Sequence, residues 1–579
     1  MAPYILLAPV VVLLLGAILI LFLGEERPPK GLDPLPPSIT GLAFVASLLL
    51  RDELPVRVTL SRWRPLPQFR AELAYYADGL ALFFLLLMTL LGVTATLLSL
   101  DRPRGGPERN RLYAVCFLLL GAGLSLVLSA NLVTLCLSWA LLDLGVFALI
   151  GLQQEGGLPV AARALATNGL AGVALLAAAL VASQGEASVA LIRGVVPPLV
   201  PSLMALAALV RAGLYPLHLG LPLTEGRPWA EALYRLIPAS AGTYLLVRAC
   251  SLAREAIPIQ GALFALGCFA MLISALLAWG ETRRSRALSW VALNQIGYVV
   301  LAMGMGTPQM AIVALLQAVN LVLAMGLLFL GQEMGGTSRR ETPAVLVLWT
   351  LAGASLLGLP PALGFVARWA FYRHANEGGA WLLPLLSGAA SALILVPLLK
   401  LLRPSASPGG GELIKAGLGQ GAAEQRQRLV QAARKLLRGT FAVRPGLGLL
   451  GLLLVILGVQ PRLLAPLVQP VGGAASRIYL DRLISSVSPL PGLEILMAIL
   501  LPLPLGYGFH RARQAIAREA LLSKICSWME LTWLYRLLWR GALRLGTALG
   551  SLMALLEGRT ALAWIALLAL VLVLLIAGG

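Results

Sequence analysis

From Gly79 to Leu100 the chain reads GLALFFLLLMTLLGVTATLLSL without a charged side chain, and runs of this kind recur along its length. About 18 apolar residues in a row suffice to cross the hydrocarbon of a bilayer as a helix. No water is available there to satisfy backbone N–H and C=O groups, so such runs fold as internally bonded helices. An all-α polytopic membrane protein is expected. The composition agrees, with 59% apolar and 12% charged residues and a mean hydropathy of +0.86.

About 14–16 transmembrane helices are expected. The apolar runs fall near 3–23, 38–51, 79–100, 112–130, 131–151, 160–183, 196–217, 231–252, 259–280, 288–306 and 309–332. They continue at 343–358 with 361–375 as one broken span, then 381–402, 445–465, 489–509 and 560–578. The first run is long enough to span and has no basic flank before it, so it reads as a membrane helix rather than a cleaved signal. Between the second and third runs, VRVTL alternates as a short strand would.

The net charge of +19 could suggest nucleic acid. The basic residues, however, sit in the loops, which is how topology and contact with anionic lipid are written into a membrane sequence. No nucleic-acid partner is expected. Placing the N-terminus outside puts 101–111, 281–286 and 336–342, three basic loops, on the cytoplasmic side of a cell inner membrane; the arginines of 52–78 oppose this. The five cysteines are scattered without a Cys-x-x-Cys, and the three histidines are far apart. No metal site, redox cofactor or catalytic residue is expected on this chain.

One stretch breaks the apolar pattern in a way lipid penalises. Leu209–Gly226, LVRAGLYPLHLGLPLTEG, carries Arg211 beside Pro216, His218 and Pro222. A cation at the bilayer centre costs about 2.5–3.5 kcal/mol on insertion scales, and proline frees a backbone carbonyl. The segment therefore faces protein or water, unless Arg211 lies at a helix end and snorkels to the headgroups. A second break follows at Gly358, GLPPALGFVARWAFYRHA, with Arg368 after the prolines rather than before them. Broken spans at corresponding places in two halves point to an inverted repeat and a transport path near the midplane. The reversed order of arginine and proline is read as part of that inversion. The expected divisions are 1–111 (N-terminal helices and outer loop), 112–252 and 259–402 (the two repeat halves), and 403–579 (a C-terminal extension). That extension carries two amphipathic segments, one in 403–444 and one in 510–548 with Arg536, Arg540 and Arg544 at i+4 spacing. Such helices belong in the headgroup plane or against a neighbouring subunit.

Several stretches together resemble a known family: YADGLALFF (76–84), SWALLDLGVFALIGL (138–152), RAGLYPLHLGLP (211–222), ASAGTYLLVR (239–248), SRALSWVALNQIGYVVLAMG (285–304), GLLFLG (326–331) and GLPPALGF (358–365). In order and spacing they resemble the antiporter-like membrane subunits of respiratory complex I, the NADH:quinone oxidoreductase. That family is shared with cation/proton antiporter complexes and membrane-bound hydrogenases. The resemblance implies a membrane-arm subunit with other membrane subunits as partners, coupling electron transfer elsewhere to proton or sodium translocation. Two alternatives are a subunit of an antiporter or hydrogenase, and a structural scaffold paralogue.

The family's buried glutamate and lysines map onto this sequence with changes. The glutamate position after Trp139 is Ala140, and Asp143 is the nearest acid on that helical face. The first lysine position is Arg211. The central lysine falls at or beside Met325, and the histidines of that helix appear as Gln317 and as Leu321 or Asn320. The terminal lysine position is Arg368, with Lys400 a further candidate. The ion-translocation candidates are therefore Asp143, Arg211, His218, Gln317, Arg368 and Lys400. Burial can strip a lysine of its proton, whereas arginine stays protonated. Arg211 and Asp143 could thus form a fixed pair, Asp143 could titrate beside a static Arg211, or the arginines could line a hydrated path. Glu225, Arg227 and Glu231 are expected in a loop-and-cap network near the inner surface.

Overall fold

The computed structural model describes residues 5–23, 34–66, 69–98, 108–153, 157–183, 196–218, 227–253, 258–335, 343–402, 445–467, 499–515 and 526–557. The segment 403–444 and the last expected span, 560–578, lie outside them. The helices are α1 (Ala8–Phe22), α2 (Leu35–Leu49), α3 (Gly79–Leu98), α4 (Glu108–Val127), α5 (Leu132–Gln153), α6 (Leu158–Ser183) and α7 (Leu199–Ala212). They continue as α8 (Pro228–Leu252), α9 (Gln260–Gly280), α10 (Arg284–Gly304), α11 (Pro308–Gly335), α12 (Pro343–Leu357), α13 (Leu363–Glu377) and α14 (Leu382–Leu401). Then come α15 (Pro445–Val459), α16 (Pro502–Ala515) and α17 (Thr532–Glu557).

Among the described residues eight helices are each long and apolar enough to cross a bilayer, and three shorter apolar ones accompany them. Helix α8 has the length to span but carries Glu231, Arg235 and Arg248. Helix α6 turns Leu158, Leu170, Val173, Leu176 and Leu180 outward, a face that water would penalise and lipid tails satisfy. Helices α10 and α11 are enclosed on all sides along their spanning windows.

The one strand expected at VRVTL is half of a hairpin. Strands β1 (Val56–Leu66) and β2 (Phe69–Ala77) pair antiparallel, with register shifts between Thr59 and Ser61 and between Trp63 and Leu66. The hairpin is moored to the α4–α5 connection. Ala74 N–H donates to Thr134 Oγ1 at 3.1 Å, and Asn131 Nδ2 donates to Glu72 O at 2.7 Å.

The order of elements occurs twice: three long helices, a broken one, and a long one. The first set is α4, α5, α6, α7 with its break, and α8; the second is α9, α10, α11, α12–α13 and α14. Hydrogen bonds between helix ends give each set a direction. Arg227 N–H reaches Gln153, Ser285 reaches Glu231, and Lys400 reaches Glu281, so the ends of α5, α9 and α14 share a face with the starts of α8 and α10. The hairpin, the end of α8 and the start of α11 lie at the opposite face. The first set thus opens on one face and the second on the other.

Within the second set α9 and α10 pack backbone to backbone. A Cβ on Gly297 would come within 2.6 Å of Met271 N, so only glycine allows this approach. The unit 518–579, whose described part is 526–557, is a separate compact body. Its α17 carries Arg536, Arg540 and Arg544 exposed at i+4 spacing, and Leu538, Leu545 and Leu549 on another stripe.

Candidate functional site: two helix breaks and the charges between them

Both breaks have the same backbone. Helix α7 ends at Ala212, and Gly213 takes φ +75°; its N–H bonds Val210 O and the N–H of Leu214 bonds Leu209 O, each at 3.0 Å. Helix α12 ends at Leu357, and Gly358 takes φ +79°; its N–H bonds Ser355 O at 3.0 Å and Leu359 N–H bonds Ala354 O at 2.8 Å. Each is a left-handed glycine closing a helix with the bonding pattern that satisfies its last carbonyls. The sequences also agree in chain order, Gly-Leu-Tyr-Pro at 213–216 and Gly-Leu-Pro-Pro at 358–361. This corrects one reading of the sequence: an inverted repeat flips in the membrane but keeps its N-to-C order. The arginine before one break and after the other is a difference between the halves.

At the first break Arg211 occupies the last turn of α7 and is fully buried. Its Nη1 donates to Asp143 Oδ1 at 2.6 Å, and Nη2 reaches Trp139 O at 3.4 Å. The guanidinium lies 3.7 Å over the Trp139 ring. Trp139 and Asp143 are one turn apart on α5 and so share a face. The tryptophan is itself held by a 3.1 Å bond from Nε1 to Asn168 O of α6. The expected pair therefore forms, and Arg211 does not snorkel. His218, beyond Pro216, packs in an aromatic cluster, stacked on Tyr215 with centroids 5.5 Å apart and 5.1 Å from Trp290.

At the second break Arg368, on α13, is 1% exposed. Its Nη1 donates to Ser387 Oγ at 2.9 Å and Ser391 Oγ at 3.0 Å, and Nη2 donates to Leu356 O at 3.1 Å. Its guanidinium lies 3.5 Å over the Tyr298 ring. The hydroxyls of Tyr298 and Tyr372 each stand 2.8 Å from Ser387 Oγ. Gly364 N–H bonds Ser355 Oγ at 3.1 Å, and that hydroxyl donates to Asn320 Oδ1 at 2.6 Å.

Between the breaks stands a row of amides. Gln317 Nε2 donates to Gln295 Oε1. Gln295 Nε2 donates to Asn294 Oδ1 at 2.8 Å, and Asn294 Nδ2 donates to Met271 O at 2.7 Å. The central positions thus hold groups that do not titrate, and Met325, farther along α11, is buried as well. Lys400 is not part of this cluster. It sits in the last turn of α14, donating to Glu281 O at 3.4 Å, nine residues or about 13 Å of helix beyond Ser391.

Two charged pairs escaped the sequence reading. Glu231 stands in the first turn of α8, and Glu225 lies outside the described residues; Glu231 is 1% exposed, and its Oε1 accepts from Arg235 Nε at 3.0 Å, Arg235 Nη2 at 2.7 Å and Ser285 Oγ at 2.6 Å. The i+4 spacing of an acid and an arginine within an apolar helix was the available signal. At the opposite face Arg248 forks onto Asp78 at 2.8 and 2.9 Å, and Asp78 Oδ1 also caps α3 through Ala81 N–H at 2.9 Å. Burial raises the Asp78 carboxyl, but the Arg248 fork and the cap outweigh it and hold the group below the usual carboxylate range. Among the described residues no group of three or more His, Cys, Asp or Glu side chains could hold a metal ion.

Chemically, the arrangement keeps positive charge fixed. Arginine does not release its proton, so Arg211 and Arg368 act as static charges, and among the described residues Asp143 and His218 are the carboxyl and imidazole at the first break.

The fold and site define a class: a polytopic helical membrane protein with two repeat halves, each broken beside a buried cation. Residues 129–394 match the family described as NADH:quinone oxidoreductase/Mrp antiporter, TM. The chain is 27% identical over 378 residues to NADH-quinone oxidoreductase subunit L of Mycobacterium tuberculosis, a match covering 60% of each. It is 28% identical over 375 residues to subunit N of Desulforudis audaxviator, covering 59% of this chain and 73% of that one. In fold it is similar to a chain of the Mrp complex from Dietzia sp., with a TM-score of 0.76 and 22% identity over 99% of this chain and 62% of that one. It is similar also to a chain of an archaeal membrane-bound sulfane sulfur reductase, with a TM-score of 0.68 and 18% identity over the full length of both. The aligned region spans about 60% of the length of subunit L.

Proposed function

We propose that this protein is a membrane-arm subunit of a complex I-like respiratory assembly. In that role it couples electron transfer on other subunits to translocation of protons or sodium. The observation that carries the reading is the buried Arg211–Asp143 pair at the first break, on a fold shared with the antiporter-like subunits. In the coupling cycle Asp143 is the group that changes charge, and Arg211 biases it without titrating. Opening this pair exposes a carboxylate to a proton from one side, and closing it expels the proton. Arg368 supplies a permanent charge at the far end of the path.

The two repeat halves, 112–252 and 259–402, form the transporter unit in this reading, and 403–579 serves as its attachment to neighbouring membrane subunits and lipid. The face carrying Arg283, Arg284 and Arg286 is cytoplasmic, which puts the hairpin and the N-terminus outside a cell inner membrane.

The test is proton pumping by the assembled complex carrying Asp143→Asn or Arg211→Ala. Loss of pumping with assembly retained supports the reading; unchanged pumping removes the pair from the path. A second reading, a scaffold paralogue, is favoured by one observation: amides and methionine fill the central positions where the resemblance expects titratable groups. It predicts that these variants alter stability alone.

A further inference from the structure

We propose that the second helix break binds a small inorganic anion of the halide type, held by Arg368 and Asn320 at the N-terminal end of α13. This goes beyond the transport reading and does not rest on it.

The buried arginines of the core are not alike. Arg211 has Asp143, Arg235 has Glu231 and Arg248 has Asp78, each within 2.8 Å. Arg368, equally buried, has two serine hydroxyls and a carbonyl. Among the described residues no carboxylate lies within salt-bridge distance of it. A buried charge without a counter-charge is costly, more so where the surroundings are lipid and apolar helices.

The donors at this place also outnumber the acceptors. Arg368 Nε is buried without a hydrogen-bond partner, and so is Nδ2 of Asn320, a residue that is 0% exposed. Buried polar groups are paired in the great majority of cases, so two orphan donors in one neighbourhood imply an acceptor. Both residues border the second break. A Cβ on Gly364 would lie 3.0 Å from Asn320 Nδ2, and one on Gly358 would lie 2.6 Å from Arg368 Cγ. Gly364 and Arg368 are one turn apart on one face of α13. The start of that helix adds its own positive end.

The chemistry of the surroundings selects the ligand. The hydroxyls of Tyr298, Tyr372 and Ser387 are already bonded to one another. Two free donors suit a spherical monovalent ion, whereas a phosphate or carboxylate would leave further oxygens unsatisfied in an apolar setting. A water molecule would satisfy the donors but bring no negative charge to a guanidinium that otherwise has the Tyr298 ring face over it. The breaks thus share a backbone and differ in where the negative charge comes from: bound covalently at the first, exchangeable at the second.

The experiment is equilibrium binding of radiolabelled chloride to the full chain as isolated from membranes, equilibrated in gluconate. The expected result is one saturable site. Arg368→Gln is expected to weaken it by about tenfold or more, the scale of one charge-assisted hydrogen bond. Asn320→Ala keeps every charge, and is expected to weaken binding less while retaining helical content. If Arg368→Gln does not fold, Asn320→Ala decides alone. No saturable binding by the folded wild type, or binding that Asn320→Ala leaves unchanged, overturns the proposal.

Discussion

Arg211 and Asp143 meet at 2.6 Å with both side chains withdrawn from solvent, although 68 residues separate them in sequence. Among the described residues each is the other's only ion-pair partner. Removing one partner therefore leaves the other desolvated and unopposed. Arg211→Met or Asp143→Leu alone is expected to destabilise the protein by about 3–5 kcal/mol. The double variant, apolar on both sides, is expected to recover most of that loss. Thermal unfolding of the four proteins in one detergent measures the coupling, and additive losses would contradict a direct pair.

The glycines at the breaks give a second prediction. Gly213 and Gly358 hold left-handed backbone, where a side chain costs about 1–2 kcal/mol before any clash is counted. Gly358→Ala adds a collision with Arg368. It is expected to lower the unfolding temperature more than Gly213→Ala. Gly261→Ala, with nothing within 4 Å of the new methyl, is expected to be silent or mildly stabilising.

A third concerns pH. The folded Asp78 carboxyl lies below its unfolded value of about 3.9, because the Arg248 fork and the α3 cap favour its ionised form. Its contribution to stability is complete above that unfolded value and is lost as pH falls through the folded one. Unfolding measured from pH 6 down to pH 3 is expected to show an acid-sensitive component that Asp78→Asn abolishes, at the cost of lower stability at pH 6.

The fourth belongs to the separate C-terminal unit. Replacing Arg536, Arg540 and Arg544 of α17 by glutamine is expected to weaken association of that segment with vesicles rich in anionic lipid. The difference from wild type should shrink as salt rises, since such attraction is screened. Sedimentation with vesicles of graded phosphatidylserine content measures it. Equal binding at every composition would leave the apolar stripe as the sole contact.

Much of this fold was legible because lipid leaves few choices. Apolar runs had to be helices, and Arg211 beside two prolines had to find an acid; Asp143 was the one on the right face. The pair Glu231–Arg235 was missed for a physical reason. Prolines at 222 and 228 and a cluster of charges look like a loop, and only Ser285, from 54 residues on, shows the carboxylate to be enclosed. The second strand was missed because FRAELAYYA carries charges that a lone strand would not, and its support comes from Asn131 and Thr134. Lys400 looked like a continuation of the charged path, but helix rise places it at the membrane face. No pattern in the sequence could show that Arg368 lacks an acid, since that is a statement about every neighbour at once.

The row of amides has a direction. Met271 offers a carbonyl, which can only accept, so Asn294 must present its NH2 there and its oxygen to Gln295. Gln295 must then donate to Asn294 and accept from Gln317. One backbone oxygen thereby sets the sense of three side chains on two helices, and none can turn over unless all do. The centre of the membrane domain thus holds a row of amides with one common orientation. Replacing Asn294 would therefore release the orientation of Gln295 and Gln317 as well.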